Sequence, residues 1–192
     1  MSALPGADGQ LRCGWALASP DYQHYHDTEW GRPVEGDRAL FERLSLEAFQ
    51  SGLSWITILR KREAFRAAFA DFEPAAVAAF GDADRERLLA DRGIVRNAAK
   101  IDAVIANARA LLALPDAGGL GGLLERYRAP AGRPAPRTSA EVPSSTPESA
   151  ALAAALKKRG FRFVGPITAY AMLQATGYVN DHLASCWVRH GG

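Results

Sequence analysis

Cysteine, histidine and uninterrupted apolar sequence are all scarce in this chain. Its 192 residues include only two cysteines and four histidines. Two cysteines cannot staple a small disulfide scaffold, and no apolar run approaches the roughly 20 residues that span a bilayer. Met1 to Gln10 lacks the basic start and apolar centre of a signal peptide, so a cytoplasmic protein with no membrane partner is expected. An excess of one charge is also missing. With 23 basic residues against 21 acidic ones, the net charge of +2 does not by itself announce a polyanion binder, and the distribution of charge must decide.

Period-two alternation of the kind a half-buried strand needs is nearly absent too, which leaves an all-α fold. With 48% hydrophobic residues the chain can close one core, so one domain spanning 1–192 is expected, with 1–11 a flexible tail. Asp37 reads as the cap of a helix reaching about Ser51, with Leu40, Phe41, Leu44 and Ala48 on its apolar stripe. Further helices are expected over Ser54–Ala70, Glu73–Phe80, from an Asp82 or Asp84 cap to Asp91, and over Arg96–Leu114. Residues 116–143 are rich in Gly, Pro and Ala; only Leu120–Tyr127 looks helical there, and no chemistry is expected of the segment. Ser145 or Thr146 caps a helix to Arg159, a last apolar helix covers Pro166–Thr176, and Asn180-Asp181-His182 reads as another cap.

What is there is segregated. All six Cys and His residues lie between Cys13 and His26 or between His182 and His190. Cys13, His26, His182 and Cys186 offer two thiolates and two imidazoles, a set that zinc takes in a closed tetrahedron, here clasping the two ends of the chain. The spacing of His182 and Cys186 would put them on one side of a helical turn. His24 is an alternative to His26, and His190 to His182. Two unrelated buried thiols, or a Cys13–Cys186 disulfide, also fit, although a reducing cytoplasm disfavours the latter.

Glu47 stands seven after Leu40 and three after Leu44, on the stripe that should face the core. A buried carboxylate needs either a partner within the fold or a ligand. Around it in sequence lie Trp15, Tyr22, Tyr25, Trp30 and Trp55, which are either core or the walls of a site for a flat cationic ring. Leu88 to Asn97, with Asp91-Arg92-Gly93-Ile94, resembles a helix-hairpin-helix turn whose backbone N–H groups contact DNA phosphate; an ordinary helix corner fits the same residues.

Taken together, Cys13-Gly14-Trp15, Tyr25-His26-Asp27-Thr28-Glu29-Trp30-Gly31, Leu46-Glu47 with Gln50-Ser51-Gly52-Leu53-Ser54-Trp55, the stretch from Leu156 to Gly165, and Val179-Asn180-Asp181-His182 resemble bacterial 3-methyladenine DNA glycosylase I, from Cys13 to Cys186. The resemblance implies a helix-hairpin-helix glycosylase fold and a monofunctional enzyme. Such an enzyme would flip an alkylated adenine out of double-stranded DNA and release free 3-methyladenine. It makes Cys13, His26, His182 and Cys186 the ligands of a structural zinc ion, and Glu47 the acid that recognises the base, with a role as general base a second option. Tyr25 and Trp55 become aromatic walls, with Trp15, Tyr22 and Trp30 near them. Leu53, beside Gln50 and Gly52, becomes the wedge that fills the emptied stack, and Gly93, Ile94, Arg96 and Lys100 become the hairpin's DNA contacts.

Ala48 and Phe49 depart from the glycine and variable residue often found in relatives, which leaves pocket width open. The wider superfamily uses an aspartate beyond the hairpin to support the sugar cation. Neither Asp102, in a helix, nor Asp116, in a Gly-rich loop, fits that place. A monomer is expected. A non-catalytic DNA-binding module and a zinc hydrolase are the competing classes.

Overall fold

The computed structural model describes residues 2–115 and 118–191. At 58% helix and 2% strand they form the all-α fold that the periodicity predicts. The described helices are α1 (Pro20–Thr28), α2 (Asp37–Gln50), α3 (Trp55–Arg60), α4 (Arg62–Ala68), α5 (Pro74–Ala78), α6 (Asp82–Ala90), α7 (Ala98–Leu112), α8 (Gly119–Glu125), α9 (Pro147–Lys158), α10 (Pro166–Ala175) and α11 (Val188–Gly191). None is long and apolar enough to cross a membrane.

Helix α2 is the spine. It packs against α3, α7, α8 and α10, so it buries Leu46 and Phe49 as well as the expected Leu40, Phe41, Leu44 and Ala48. A helix covered on most sides needs apolar residues beyond a single stripe. Its N-cap is Gly36, not Asp37. Asp37 is the first helical residue, and its Oδ1 accepts the Leu120 N–H at 2.9 Å, which ties α8 to the start of α2.

Two further expectations are corrected, and one choice between caps is decided. The single helix over Ser54–Ala70 divides at Lys61 (φ −96°, ψ 0°), whose Nζ donates to the carbonyls of Arg92 and Gly93 at 3.1 and 2.9 Å. The break re-aims the chain: Trp55 on α3 stays partly exposed, while Phe65 and Phe69 enter the core beside Phe49. Ala70, Asp71 and Phe72 then form a left-handed turn with φ of 51°, 51° and 54°, pinned by the buried Phe72 ring against Phe69 and Phe41. Between the two offered caps of α9, Thr146 is the one used. Its Oγ1 accepts the Ser149 N–H and Ser149 Oγ accepts the Thr146 N–H, with Pro147 at the first helical position. Finally, Asn180-Asp181-His182 caps no helix. Asn180 Oδ1 accepts the His182 N–H in a local turn, and Cys186 returns beside His182 through a turn closed by Cys186 N–H to Leu183 O, not through a helix.

One helix and a two-stranded ribbon were not anticipated. Helix α1 has no apolar stripe to betray it, but Ser19 caps it by accepting the Tyr22 N–H and Pro20 starts it. In the segment expected as a loose tail, β1 (Leu4–Pro5) pairs antiparallel with β2 (Leu11–Arg12). Buried Arg12 anchors this ribbon through both oxygens of Asp27 and both of Asp8, and Trp187 N–H donates to Leu11 O. Asp116 lies outside the described residues.

Candidate active site and metal cluster

Helix α2 carries Glu47 to the floor of a cavity of about 220 Å³, lined by Trp15, Tyr22, Tyr25, Trp30, Gln50, Trp55, Ala171 and Gln174. All five aromatic residues singled out in the sequence are therefore in the lining. The volume lies below the ~300–1,000 Å³ usual for pockets that take drug-sized ligands, which suits a single flat ring system. Two of the ring contacts are edge to face, Trp15 on Trp30 at 5.2 Å and 83° and Trp15 on Tyr22 at 5.6 Å and 80°. Tyr25 faces Trp55 at 5.4 Å. Such contacts hold the walls while leaving ring faces to a guest. Tyr22 also positions α3, since its hydroxyl accepts the Ile56 N–H at 2.9 Å.

The Glu47 residue is 6% exposed, and among the described residues no donor hydrogen-bonds its carboxyl. Burial pushes its pKa up to about 7, opposed by the Arg43 guanidinium one turn earlier on α2. Arg43 itself is engaged elsewhere, donating to Tyr25 Oη at 3.1 Å and to Glu29 at 3.4 Å; Arg62 also holds Glu29. Of the internal partners a buried acid could have, the described residues supply only the nearby charge of Arg43 and no hydrogen bond.

Arg43 and Gln174 were missed in the sequence. Arg43 had a signal, its i,i+4 spacing from Glu47. Gln174 had none. Its Nε2 donates to Asp181 Oδ2 at 2.8 Å, and Asp181 also accepts Tyr170 Oη–H at 2.5 Å and an N–H of Arg133. A carboxylate accepts only, so the amide's Oε1 is what remains for the cavity. Arg133 belongs to the 116–143 segment, of which no chemistry was expected.

The ligand atoms of Cys13, His26, His182 and Cys186 all lie within 4.8 Å of one another, and all four residues are buried. His26 Nε2 stands 3.1 Å from His182 Nδ1 and 3.4 Å from Cys186 Sγ; Cys13 Sγ stands 3.9 Å from His182 Nδ1. The outer nitrogen of each ring is already committed. His26 Nδ1–H donates to Asp27 at 2.7 Å and His182 Nε2–H to Trp30 O at 3.0 Å. Both inner nitrogens therefore present lone pairs to the same point, an arrangement that repels itself unless a cation sits between them. The residues fit a metal ion. His24 and His190, the alternatives, are exposed and outside the cluster, and both cysteines are free thiols.

The residues expected on DNA divide. Gly52 (φ 80°) and Leu53 form an exposed turn closed by Leu53 N–H to Gln50 O, with the Leu53 side chain outward. Arg96 is exposed with no side-chain partner among the described residues. Lys100 is a correction. It is 6% exposed, and its Nζ donates to Phe49 O and Ser51 O at 2.9 and 2.6 Å, so it caps the end of α2 and cannot reach a phosphate. Gly93 is another: its N–H is taken by Asp91 Oδ1 at 2.7 Å, and Ile94 is buried in the core. Asp102 pairs with Arg85 on the surface, away from the pocket.

A helical scaffold with an acid at the base of an aromatic pocket and a Cys₂His₂ cluster is that of a helical DNA glycosylase. Residues 15–190 match the Methyladenine glycosylase family, and the chain belongs to it. It is 46% identical over 184 residues to DNA-3-methyladenine glycosylase 1 of Escherichia coli (strain K12), covering 91% of this chain and 95% of that one. The fold superposes with TM-score 0.86 on 3-methyladenine DNA glycosylase I from Staphylococcus aureus, at 35% identity over 93% of this chain and 96% of that one. A tyrosine-to-phenylalanine form of 3-methyladenine DNA glycosylase I in complex with 3-methyladenine gives the same score at 34% identity, covering 93% and 97%.

Proposed function

We propose that this chain releases 3-methyladenine from alkylated double-stranded DNA by hydrolysing the bond between base and deoxyribose, with no lyase step. The observation that carries the reading is Glu47: a buried carboxyl with no hydrogen-bond partner in the fold, facing a base-sized aromatic cavity. A base methylated at N3 is already cationic. It gains from the indole and phenol faces, and its charge returns the Glu47 carboxyl to the ionised form. Glu47 and the free Oε1 of Gln174 are both acceptors, which suits the exocyclic amino group of an adenine.

The C1′–N bond breaks with its electron pair leaving on the base, whose ring charge is neutralised. Little general-acid help is needed. Water adds its oxygen to the oxocarbenium-like C1′ and gives up a proton. Glu47, with a pKa near 7, is suited to take it. Flipping is cheapened because a damaged base pairs poorly, and Leu53, with Gln50 and Gly52 behind it, fills the gap. Exposed Arg96 holds a phosphate, and the protein acts as a monomer.

The cluster metal is proposed to be zinc, held by Cys13, His26, His182 and Cys186. With four protein ligands it has no open position, so it ties the ends of the chain together and takes no part in hydrolysis. The test is chromatographic detection of free base from methylated duplex DNA. Wild type should release 3-methyladenine, and Glu47→Gln should be slower by about 10²-fold or more. If wild type releases none, the reading fails.

A further inference from the structure

The metal cluster uses only His182 of the motif Val179-Asn180-Asp181-His182, yet the Asp181 side chain beside it is fully buried. Its place follows from α10. Tyr170 and Gln174 are four apart and share one face of that helix. The chain reverses after them at Gly177 (φ 76°), where a Cβ would stand 2.9 Å from Gly31 O. The reversal lays Asp181 along the Tyr170–Gln174 face.

Every hydrogen bond in this cluster has one possible direction. Arg133 has donors only; it donates to Asp181 Oδ1 and, at 3.0 Å, to Tyr170 Oη. The phenol, its oxygen so engaged, turns its own proton to Asp181 Oδ2 at 2.5 Å, and Gln174 Nε2 donates to the same oxygen at 2.8 Å. Burial, and Asp181 after it, push the Tyr170 pKa up, so the phenol stays a donor. A Gln174 amide turned the other way would set Oε1 against Oδ2, two desolvated acceptors in contact, which is costly on both sides. One orientation survives, and it leaves Oε1 to the cavity that Gln174 lines together with Glu47. Glu47, with a pKa of about 7, donates or accepts according to pH, whereas the Gln174 oxygen accepts at every pH.

We infer that Asp181 is a positioning residue for base selection. By holding Gln174 with its oxygen toward the cavity, it makes the site accept the C6 amino group of a methylated adenine and refuse the C6 carbonyl of a methylated guanine. Selection of this kind rests on the proposed function. An adenine amino group donates to Oε1, whereas a guanine O6 meets it lone pair to lone pair. A site built to pair one polar group rejects the analogue that lacks it far better than shape alone does.

Asp181→Asn is the informative change, because Arg133 dictates how the new amide lies. Its oxygen must face Arg133, its NH₂ then faces Gln174, and the Gln174 amide turns over and offers an N–H to the cavity. The Tyr170 O–H loses its acceptor in that arrangement, so D181N is also made together with Tyr170→Phe. Kd for free 3-methyladenine and for free 3-methylguanine is read by tryptophan quenching, with Tm and metal content, since His182 is the next residue. Wild type should prefer 3-methyladenine by about 100-fold or more, and the variants should lower that ratio by about 10-fold or more while keeping the metal. An unchanged ratio in whichever variant folds overturns the inference, as does a ratio that falls only when the metal is lost. If neither variant folds, Asp181 serves the fold and the inference is overturned as well. A wild type that binds both bases alike overturns it without any variant. A wild type that binds neither and releases no base sinks the proposed function instead, a result distinct from all of these.

Discussion

Glu47 carries opposite demands. A carboxyl that is neutral below about pH 7 in the fold, and ionised above an ordinary value of 4.5 when unfolded, makes folding take up a proton between those two values. Stability contributed by this group is therefore full below about 4.5 and is lost as pH rises through 7, at a cost on the order of 3 kcal/mol. Glu47→Gln removes the charge, so its Tm should exceed that of wild type at pH 8 by several degrees, and the gap should close at pH 5. Calorimetry at the two pH values checks this, and equal Tm values at pH 8 would mean that the acid is better solvated than its burial indicates. In activity the sign is reversed, because it is the carboxylate that faces the cationic base. Release measured as kcat/KM should climb through about pH 7 and level off. A profile flat across that range would remove Glu47 from the titrating step.

Among the elements, the ones that solvate each other's ends matter most. Lys100 donates to the last carbonyls of α2, and burial lowers its pKa without removing the need for its charge there. Lys100→Met should cost about 2 kcal/mol by leaving two carbonyls unpaired. It should leave the salt dependence of duplex binding unchanged, whereas Arg96→Ala should reduce the log–log salt slope by about 1. If the Lys100 variant reduces the slope instead, the ammonium reaches DNA after all. The 70–72 turn is a second case. Ala70 is exposed at φ 51°, so Ala70→Gly should raise stability by about 1 kcal/mol in thermal unfolding. These two cases also mark what a sequence can say. The helices with one apolar stripe, such as α2 and α7, are legible from spacing, because burying that stripe is what forms them. Helix α1 is not, since its Tyr22 and Tyr25 serve a cavity rather than a stripe. Nor is the break at Lys61, which depends on carbonyls of Arg92 and Gly93 far along the chain. Lys100 was expected on DNA because burial of an ammonium by distant carbonyls leaves no local trace. The Cys and His set was legible through its segregation to the chain ends, and Glu47 through its place on an apolar stripe.

Over the whole molecule, the cluster and the pocket are one structure. The His26 ring lies edge-on to Trp15 at 5.2 Å and the His182 ring edge-on to Trp30 at 4.6 Å, so the rings that face the metal position also back the pocket walls. Asp27, which orients His26, is held in turn by Arg12 at the end of the N-terminal ribbon. Taking the metal away should therefore release both ends of the chain and dismantle the cavity, although no reaction step passes through the ion. Metal analysis should find one zinc per chain. On chelation under denaturing conditions and refolding without zinc, near-ultraviolet circular dichroism, Tm and free-base binding should fall together, and added zinc should restore all three. The same coupling should appear in Cys186→Ser without any chelator. A catalytic ion would behave differently, with activity lost while the dichroism and the affinity for 3-methyladenine stayed intact. That result would mean one of the four side chains leaves the ion in solution and opens a place for water, contrary to the four buried donors that converge here.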